Sequence, residues 1–384
     1  MPTIYTAVRG TANAQTENVR VRDVSPALQL LEPDEGPLTT IMAKFRKVRV
    51  FNPQVEWFED ELLPRFDTLS ADLTAGAATM TVNNYQRFRS GDLVKINNVE
   101  VIRVGADPTS STVTITRAVG TTSAQAAVSG NNLFIMSNST AENAAAPSLL
   151  STQKVRQFNY AQIIRDPFGH SQTAIDSKTY GGDDPAFQRR KFLLEHKRKI
   201  ENALIHGERY EDTSGTQYQH STSGCLAYII SNVQDMAGET TEAEFEDWIR
   251  RNFRFGSKNK LLFSSPVATS VINGFGRDKI RLAQGEKTYG ITMSEYQNAG
   301  RKVMIVEHNQ LSNDLQTDIT GIAGYVICLD INDLELCHMG EVLTRFKENI
   351  QANNIDGVQN EYRSQISLRL WHERKHGLAK GITS

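Results

Sequence analysis

Apolar residues recur with two different spacings along the chain, and the switches between them mark its elements. From Ile41 to Phe66 the segment IMAKFRKVRVFNPQVEWFEDELLPRF alternates in part. Phe45, Val48, Val50, Val55 and Trp57 fall between charged residues, which predicts a half-exposed pair of strands bent at Pro53. Between about Asp67 and Ala146 helical spacing vanishes and Thr, Val, Asn, Ser, Gly and Ala dominate. Short strands are predicted there at 79–82, 92–97, 99–104, 111–118 and 132–136, separated by Gly, Asn and Asp-Pro turns, which reads as a compact β barrel or sandwich. The next stretch, TQKVRQFNYAQIIRDPFGHSQTAID, is extended and by position would return alongside 41–66, with the β module at the tip of one long hairpin.

After Gly181 and Gly182 the period changes to that of a helix. Asp184 is a good N-cap, Pro185 a good first helical residue and Gly207 a good stop, so a rod of about 30 Å is predicted up to Ile205. Phe187, Leu193, Ile200 and Leu204 lie near one face of it, and Arg189, Arg190, Lys197, Arg198 and Lys199 on others. Residues 221–335 read as an α/β unit: a helix around 242–252, the strand KLLFSS, a helix after Pro266, and strands KVMIVEH and YVICLDI. The last 49 residues return to alternation and predict long strands flanking the rod. Residues 1–36, poor in bulky apolar groups and broken by Pro26, Pro33, Gly36 and Pro37, read as an extended arm that needs a neighbour's surface to become ordered.

Composition narrows the class. A chain of 384 residues holds two or three folding units. With 42 Lys and Arg against 44 Asp and Glu, it has no global field for nucleic acid or acidic membranes, so any basic surface is local. Cys225, Cys328 and Cys337 make neither an even disulfide set nor a CxxC pair and read as core fillers of a reducing compartment. The opening MPTIYTAVRG has no signal-peptide pattern and no apolar run approaches the roughly 18 residues of a span, which predicts neither secretion nor membrane insertion.

One enzyme motif matches. His372-Glu373-Arg374-Lys375-His376 fits HExxH, in which two His one helical turn apart hold zinc and the Glu activates water. The preceding QISLRLW has strand alternation, Arg374 and Lys375 would crowd a dication, and only eight residues follow, so the segment reads as a polar strand end. A zinc-dependent hydrolase, with His338 or Glu341 as a third ligand, is the enzymatic alternative. Gly274-Phe275-Gly276-Arg277-Asp278 lacks the third Gly of a dinucleotide fingerprint and reads as a loop, and Gly285-Glu286-Lys287-Thr288 lacks the glycines of a P-loop. Asp183, Asp184 and Asp330 read as caps and turns, and no catalytic set emerges. The rod carries a local basic excess, and Arg250, Arg251, Arg254, Lys258 and Lys260 form a second cluster; either serves phosphate contact or a subunit interface.

The order arm, long hairpin with an inserted β module, Gly hinge, rod helix, α/β unit and returning strands resembles the major capsid proteins of tailed bacteriophages with the Hong Kong 97-like fold, and within them the SU-10-like subfamily. The residues carrying this are LEPDEGPLTT (31–40), Glu56-Trp57, YAQIIRDPFGHSQTAIDSKTYGG (160–182), QRRKFLLEHKRKIENALIHGE (188–208), SGCLAYIISNV (223–233), YGITMSEYQNAGRKVMIVEHNQLSND (289–314) and the closing His376-Gly377. The resemblance implies an α+β fold: N-terminal arm 1–40, E-loop limbs 41–66 and 147–178, β insertion domain 67–146, P domain with spine helix 179–222, A domain 223–338, and returning P-domain strands 339–384. It implies a shell protein with no catalytic role and no cofactor. Its partners would be itself, as hexamers and pentamers, packaged double-stranded DNA, and portal, scaffold and decoration proteins; it would be assembled in the host cytoplasm and carried in the virion. Lys44, Arg46, Arg49, Glu56, Trp57, Glu59 and Asp60 become inter-subunit candidates. Arg189, Arg190, Lys197, Arg198, Arg250, Arg251 and Arg254 become DNA-facing or inter-subunit candidates. An encapsulin-like cargo shell would share the fold.

Overall fold

The computed structural model describes residues 36–144, 146–177, 184–275, 287–288, 291–292, 294–298, 301–311 and 322–383. The expected arm up to residue 35, the hinge at Gly181 and Gly182, and most of the two glycine-containing segments after Phe275 lie outside them. The chain forms two compact units: one ends at Trp57 and resumes at Phe158, and the other is Phe58–Gln157.

The first unit begins with a correction. Residues 41–45 finish a helix, Pro37–Phe45, rather than opening a strand. Pro37 presets the backbone at the helix start, and Leu38, Ile41 and Met42 bury one apolar face at helical spacing. The strand Lys47–Val50 then pairs in parallel with Leu334–Met339, not with the strand beyond Pro53. That next strand, Gln54–Glu59, pairs with Val155–Tyr160, whereas the rest of the expected return limb, Gln162–Ser171, runs antiparallel to Gly357–Leu370. Alternation specifies which face of a strand is buried but not which strand lies beside it.

A five-stranded mixed sheet results, in the order Lys47–Val50, Leu334–Met339, Gly357–Leu370, Gln162–Ser171, with Thr344–Lys347 also paired to Gly357–Leu370. The rod helix, Asp184–His206, packs on Gln162–Ser171 and Gly357–Leu370. Its buried residues are His196, Ile200, Glu201, Leu204 and Ile205, so the apolar stripe of its last turns contains a carboxylate and an imidazole. Phe187 and Leu193 are only half-buried.

A second sheet of six strands has the order Val233–Glu239, Gly377–Thr383, Val326–Leu329, Asn259–Ser264, Arg301–Glu307, Ser294–Asn298. Both of its faces are covered, which is why Asn259–Ser264 and Val326–Leu329 are almost continuously apolar rather than alternating. Leu261, Phe263, Ile327 and Leu329 join Ile200, Leu204 and Leu368 in one core. Leu262, Val326 and Cys328 join Phe245, Trp248 and Ile249 of the helix Glu242–Asn252 and Ile272 of the helix Pro266–Phe275 in another. Thr241 and Glu244 close a reciprocal capping box at the start of Glu242–Asn252. Gly274 and Phe275 end the helix Pro266–Phe275 instead of opening a loop. Gly377–Thr383 also departs from expectation: it joins this second sheet, because Leu378 and Ala379 point into the two different cores. The three cysteines are buried and free, and burial pushes the thiols of Cys225 and Cys328 up to about 12 and that of Cys337 up to about 11.

The second unit holds the five predicted strands plus Phe66–Thr68, in the order Phe66–Thr68, Asn132–Asn138, Asp92–Ile96, Glu100–Val104, Thr112–Thr116, Thr79–Thr81. The bridge Leu69 to Val82, with the Ser70 amide donating to Thr81 O at 2.9 Å, joins the last strand to the first. The sheet therefore closes into a barrel, which removes the free edges an open sheet would expose. Val94, Ile96, Ile102, Val104, Val113, Ile115 and Leu133 fill it at the period-two positions. Glu100 is buried and accepts from Arg117 at 2.7 and 2.6 Å and from the amides of Ala118 and Gln125. Burial pushes its carboxyl up, but Arg117 and those amides outweigh this and hold it below the usual range. Among the described residues no helix is long and apolar enough to cross a membrane.

Candidate functional site

Most of the charged inter-subunit candidates lie on the surface of their own unit. Lys44, Arg46, Arg49, Glu56 and Asp60 are exposed and Glu59 is half-buried. Arg46 donates to the Asn332 carbonyl and lies 3.8 Å from Glu335, Arg49 stands over the Phe51 ring, and Asp60 accepts from the Thr152 hydroxyl at 2.9 Å. Trp57 is the exception and a correction. It is only 4% exposed, with its ring 6.2 Å from Tyr228 and 6.4 Å from Trp371, so it packs within its own chain rather than standing on the surface. Alternation placed it opposite Glu56 correctly, but could not say that the covering surface is intramolecular.

On the rod helix Arg189, Arg190 and Lys197 are exposed and Arg198 is half-buried. Arg189 stands 4.0 Å over the Phe346 ring and 3.9 Å from Glu348. In the second cluster Arg250 and Arg251 both pair with Asp247, Arg251 at 3.1 Å, and Arg254 lies over the Phe255 ring. Lys260 does not belong to that cluster. It is buried, and its ammonium donates to the carbonyls of Asn252 at 2.6 Å, Phe255 at 3.0 Å and Lys375. Burial pushes its pKa down. A lysine inside an apolar strand such as KLLFSS reads as surface only if no carbonyls end nearby.

Of three buried or half-buried polar clusters, two had no signature in the sequence and one surrounds a motif that did. In the first, Glu201 Oε1 accepts from the Leu38 amide at 2.8 Å, and Oε2 from the Thr39 amide at 2.7 Å and from its hydroxyl. Nε2 of the buried His308 lies 2.7 Å from Oε1. Gly36 precedes the helix Pro37–Phe45 and has no side chain to cap it, so a carboxylate from the rod supplies both the acceptors and the negative charge that a helix start favours.

In the second, His196 Nδ1 is 2.6 Å from Asp166 Oδ2 and Nε2 is 2.7 Å from Ser364 Oγ, the order of groups in an acyl-transfer triad. Its surroundings are not those of one. Ser364 is 1% exposed in the long strand and its Oγ is 2.9 Å from Thr344 Oγ1, while Lys199 pairs with Asp166. No carbonyl can reach the hydroxyl, and the array works as a tie between rod, sheet and the strand Thr344–Lys347.

The third is the HExxH segment. His372 has φ 51° and only the 3-10 turn Glu373–Lys375 separates it from His376, so the two imidazoles do not share one turn of an α-helix. Glu373 accepts from the Ile230 amide at 2.6 Å, the Ser231 amide and the Ser231 hydroxyl. His376 is fully buried; Nδ1 accepts from the Asp330 amide at 3.2 Å and Nε2 faces the Trp371 carbonyl at 3.3 Å. Burial, then Lys260, pushes its imidazole down to about 3, so it stays neutral. Glu373 and both His376 nitrogens are already used to hold loops, and zinc chemistry would have to break those bonds. Asp330 is a cap, as read: it accepts from the amides of Asn332 and Ser257.

Taken together, the described polar chemistry fixes segments to one another. The comparisons agree with a scaffold of this kind. The capsids of a native and of an empty GTA particle each superpose with a TM-score of 0.53 at 10% and 11% identity, covering 98% of this chain and 100% of theirs. The α+β architecture is thus the Hong Kong 97-like capsid fold. The major capsid protein of Pseudomonas phage PaMx41 is 22% identical over 287 residues, which cover 71% of this chain and 67% of that protein. The family model described as SU10 major capsid protein matches residues 6–383, nearly the whole length, and the chain therefore belongs to the SU10 major capsid protein family.

Proposed function

We propose that copies of this major capsid protein tile as hexamers and pentamers into a closed icosahedral head around double-stranded DNA, with a structural and not a catalytic role. The observation that carries this is the exposure of large apolar side chains on the connecting segments: Phe51 is 81%, Phe58 60%, Leu62 90% and Leu149 99% exposed. At roughly 25 cal/mol per Å² of apolar surface buried, covering them favours association, and closed symmetry multiplies each contact. In this reading the mixed sheet and rod form the P domain, the six-stranded sheet forms the A domain at capsomer centres, residues 51–66 and 147–161 act as the E-loop, and the arm 1–36 lies on a neighbour.

The barrel, interrupting a surface hairpin, faces outward. Arg189, Arg190, Lys197, Arg198, Arg250, Arg251 and Arg254 contribute phosphate neutralisation or subunit contacts without reading bases. Assembly in the host cytoplasm, incorporation into the virion, and contacts with portal, scaffold and decoration proteins belong to the same proposal. Sedimentation and electron microscopy of the overexpressed full-length protein test it: closed shells of uniform diameter are expected, and small oligomers alone would overturn it. In particles from infected cells, packaged enzyme in place of genome would indicate a cargo shell instead.

A further inference from the structure

The outer face of the barrel carries a row of side chains that its core does not use. Phe66 lies opposite Phe134 in register, and Lys95 lies opposite Phe134 on the other side. The two phenyl rings are 4.9 Å apart and tilted by 32°, and Phe66 is 49% exposed. One end of the row is walled by Asn97 and Asn98 and by Asn132. The six residues line an open concavity of about 380 Å³, within the size range of small-molecule sites.

The wall is held in place. Asn97 and Asn98 have φ 45° and 65°, the conformation of a tight hairpin turn that Asn tolerates, and Asn97 Oδ1 accepts from the Asn132 amide at 3.2 Å. The backbones of Asn98 and Asn132 are held at the edge of the concavity, and both residues are exposed.

Two aromatic faces, three carboxamides with donors and acceptors, one ammonium and no carboxylate make a surface that is apolar in the middle and hydrogen-bonding at the rim. A pyranose matches it, with C–H groups on its faces and hydroxyls around its edge. Single-stranded nucleic acid also stacks on aromatics, but it needs a cationic groove. The unit Phe58–Gln157 has eight Lys and Arg against nine Asp and Glu, and only Lys95 lines the concavity. A strand-adding peptide needs a free edge, and the closure of the barrel removes it.

We propose that this concavity binds a saccharide, with a pyranose ring on Phe66 and Phe134 and its hydroxyl or N-acetyl oxygens facing Lys95, Asn98 and Asn132. The site belongs to the barrel alone and does not depend on the shell reading.

The test is titration of the full-length protein with chitotetraose, maltotetraose and the oligonucleotide (dT)8, followed by calorimetry and by saturation-transfer NMR of the ligand. At least one sugar should bind with saturation reaching its ring C–H protons. Phe134→Ala should weaken it about tenfold or more, equivalent to about 1.4 kcal/mol. Asn98→Gly, which keeps the positive φ and removes only the amide, should weaken it severalfold with the melting temperature unchanged, and it decides the matter if Phe134→Ala does not fold. Neither sugar binding at 10 mM, binding that survives these substitutions in folded protein, or tighter binding of (dT)8 at the same residues would overturn the proposal.

Discussion

Glu201 does for the helix Pro37–Phe45 what a local Ser or Asp does for most helices, but from the rod helix. Replacing it with Ala leaves two amides and the buried His308 without their acceptor, a loss on the order of 3–5 kcal/mol by analogy with broken buried ion pairs. Glu201→Gln keeps one acceptor oxygen and should cost less. Hydrogen exchange at Leu38–Met42 reads this directly: protection should fall sharply in the Ala variant and partly in the Gln variant, and unchanged protection in both would remove the cap from the account.

His376 makes a second prediction at this scale. Its folded pKa of about 3 lies below the ordinary 6.5, so between those values the unfolded chain binds a proton that the folded chain does not. Its contribution to stability is therefore complete above pH 6.5 and declines by about 1.4 kcal/mol per unit as the pH falls toward 3. Glu361 is also depressed: burial pushes it up, and Arg165 and Lys347 more than reverse that. Its contribution is present above the ordinary 4.5 and is lost as the pH falls below that through its lower folded value, outside the range 6.5 to 4.5. His206 and His338 are also pushed down by burial and act in that range with the same sign, so the His376 share is the difference between the parent protein and its variant. His376→Asn should flatten the pH dependence of unfolding there, and an unaltered slope would refute the assignment.

Elements were legible where the sequence is locally decisive. Pro185 and Gly207 bracket the rod, Thr241 and Glu244 announce Glu242–Asn252, and alternation with turn residues marks the barrel strands. What failed was pairing. Lys47–Val50, Gln162–Ser171 and Gly377–Thr383 all find partners far along the chain, and an alternating pattern is satisfied by any strand with a matching face. Ile41–Phe45 failed because a half-exposed strand and a helix start with Pro37 share the same few apolar residues.

The buried clusters were invisible for a related reason: Asp166, His196 and Ser364, or Leu38, Glu201 and His308, meet only in three dimensions. One element-level contact is testable through a close approach. A Cβ on Gly377 would overlap the buried Asn252 side chain, at the end of Glu242–Asn252. Gly377→Ala should therefore lower stability by about 1–3 kcal/mol or more, seen as a drop in thermal midpoint, whereas Gly274→Ala, with open space around its Cβ position, should not.

At the scale of the whole molecule, each unit has its own core, yet large apolar groups remain in solvent on the segments that would lie between copies. Leu62→Asp together with Leu149→Asp should leave circular dichroism and barrel stability unchanged while abolishing closed shells in sedimentation; normal shells from that variant would show that these residues do not mediate contacts. Deleting residues 1–36 should likewise leave both units folded and weaken the shells.

The most direct measurement is hydroxyl-radical footprinting of Phe51, Phe58, Leu62 and Leu149 in assembled particles and in subunits dissociated from them. The account predicts that all four, reactive in free subunits, become protected on assembly, while interior residues such as Leu204 stay protected in both. Equal reactivity of the four in shell and subunit would contradict it.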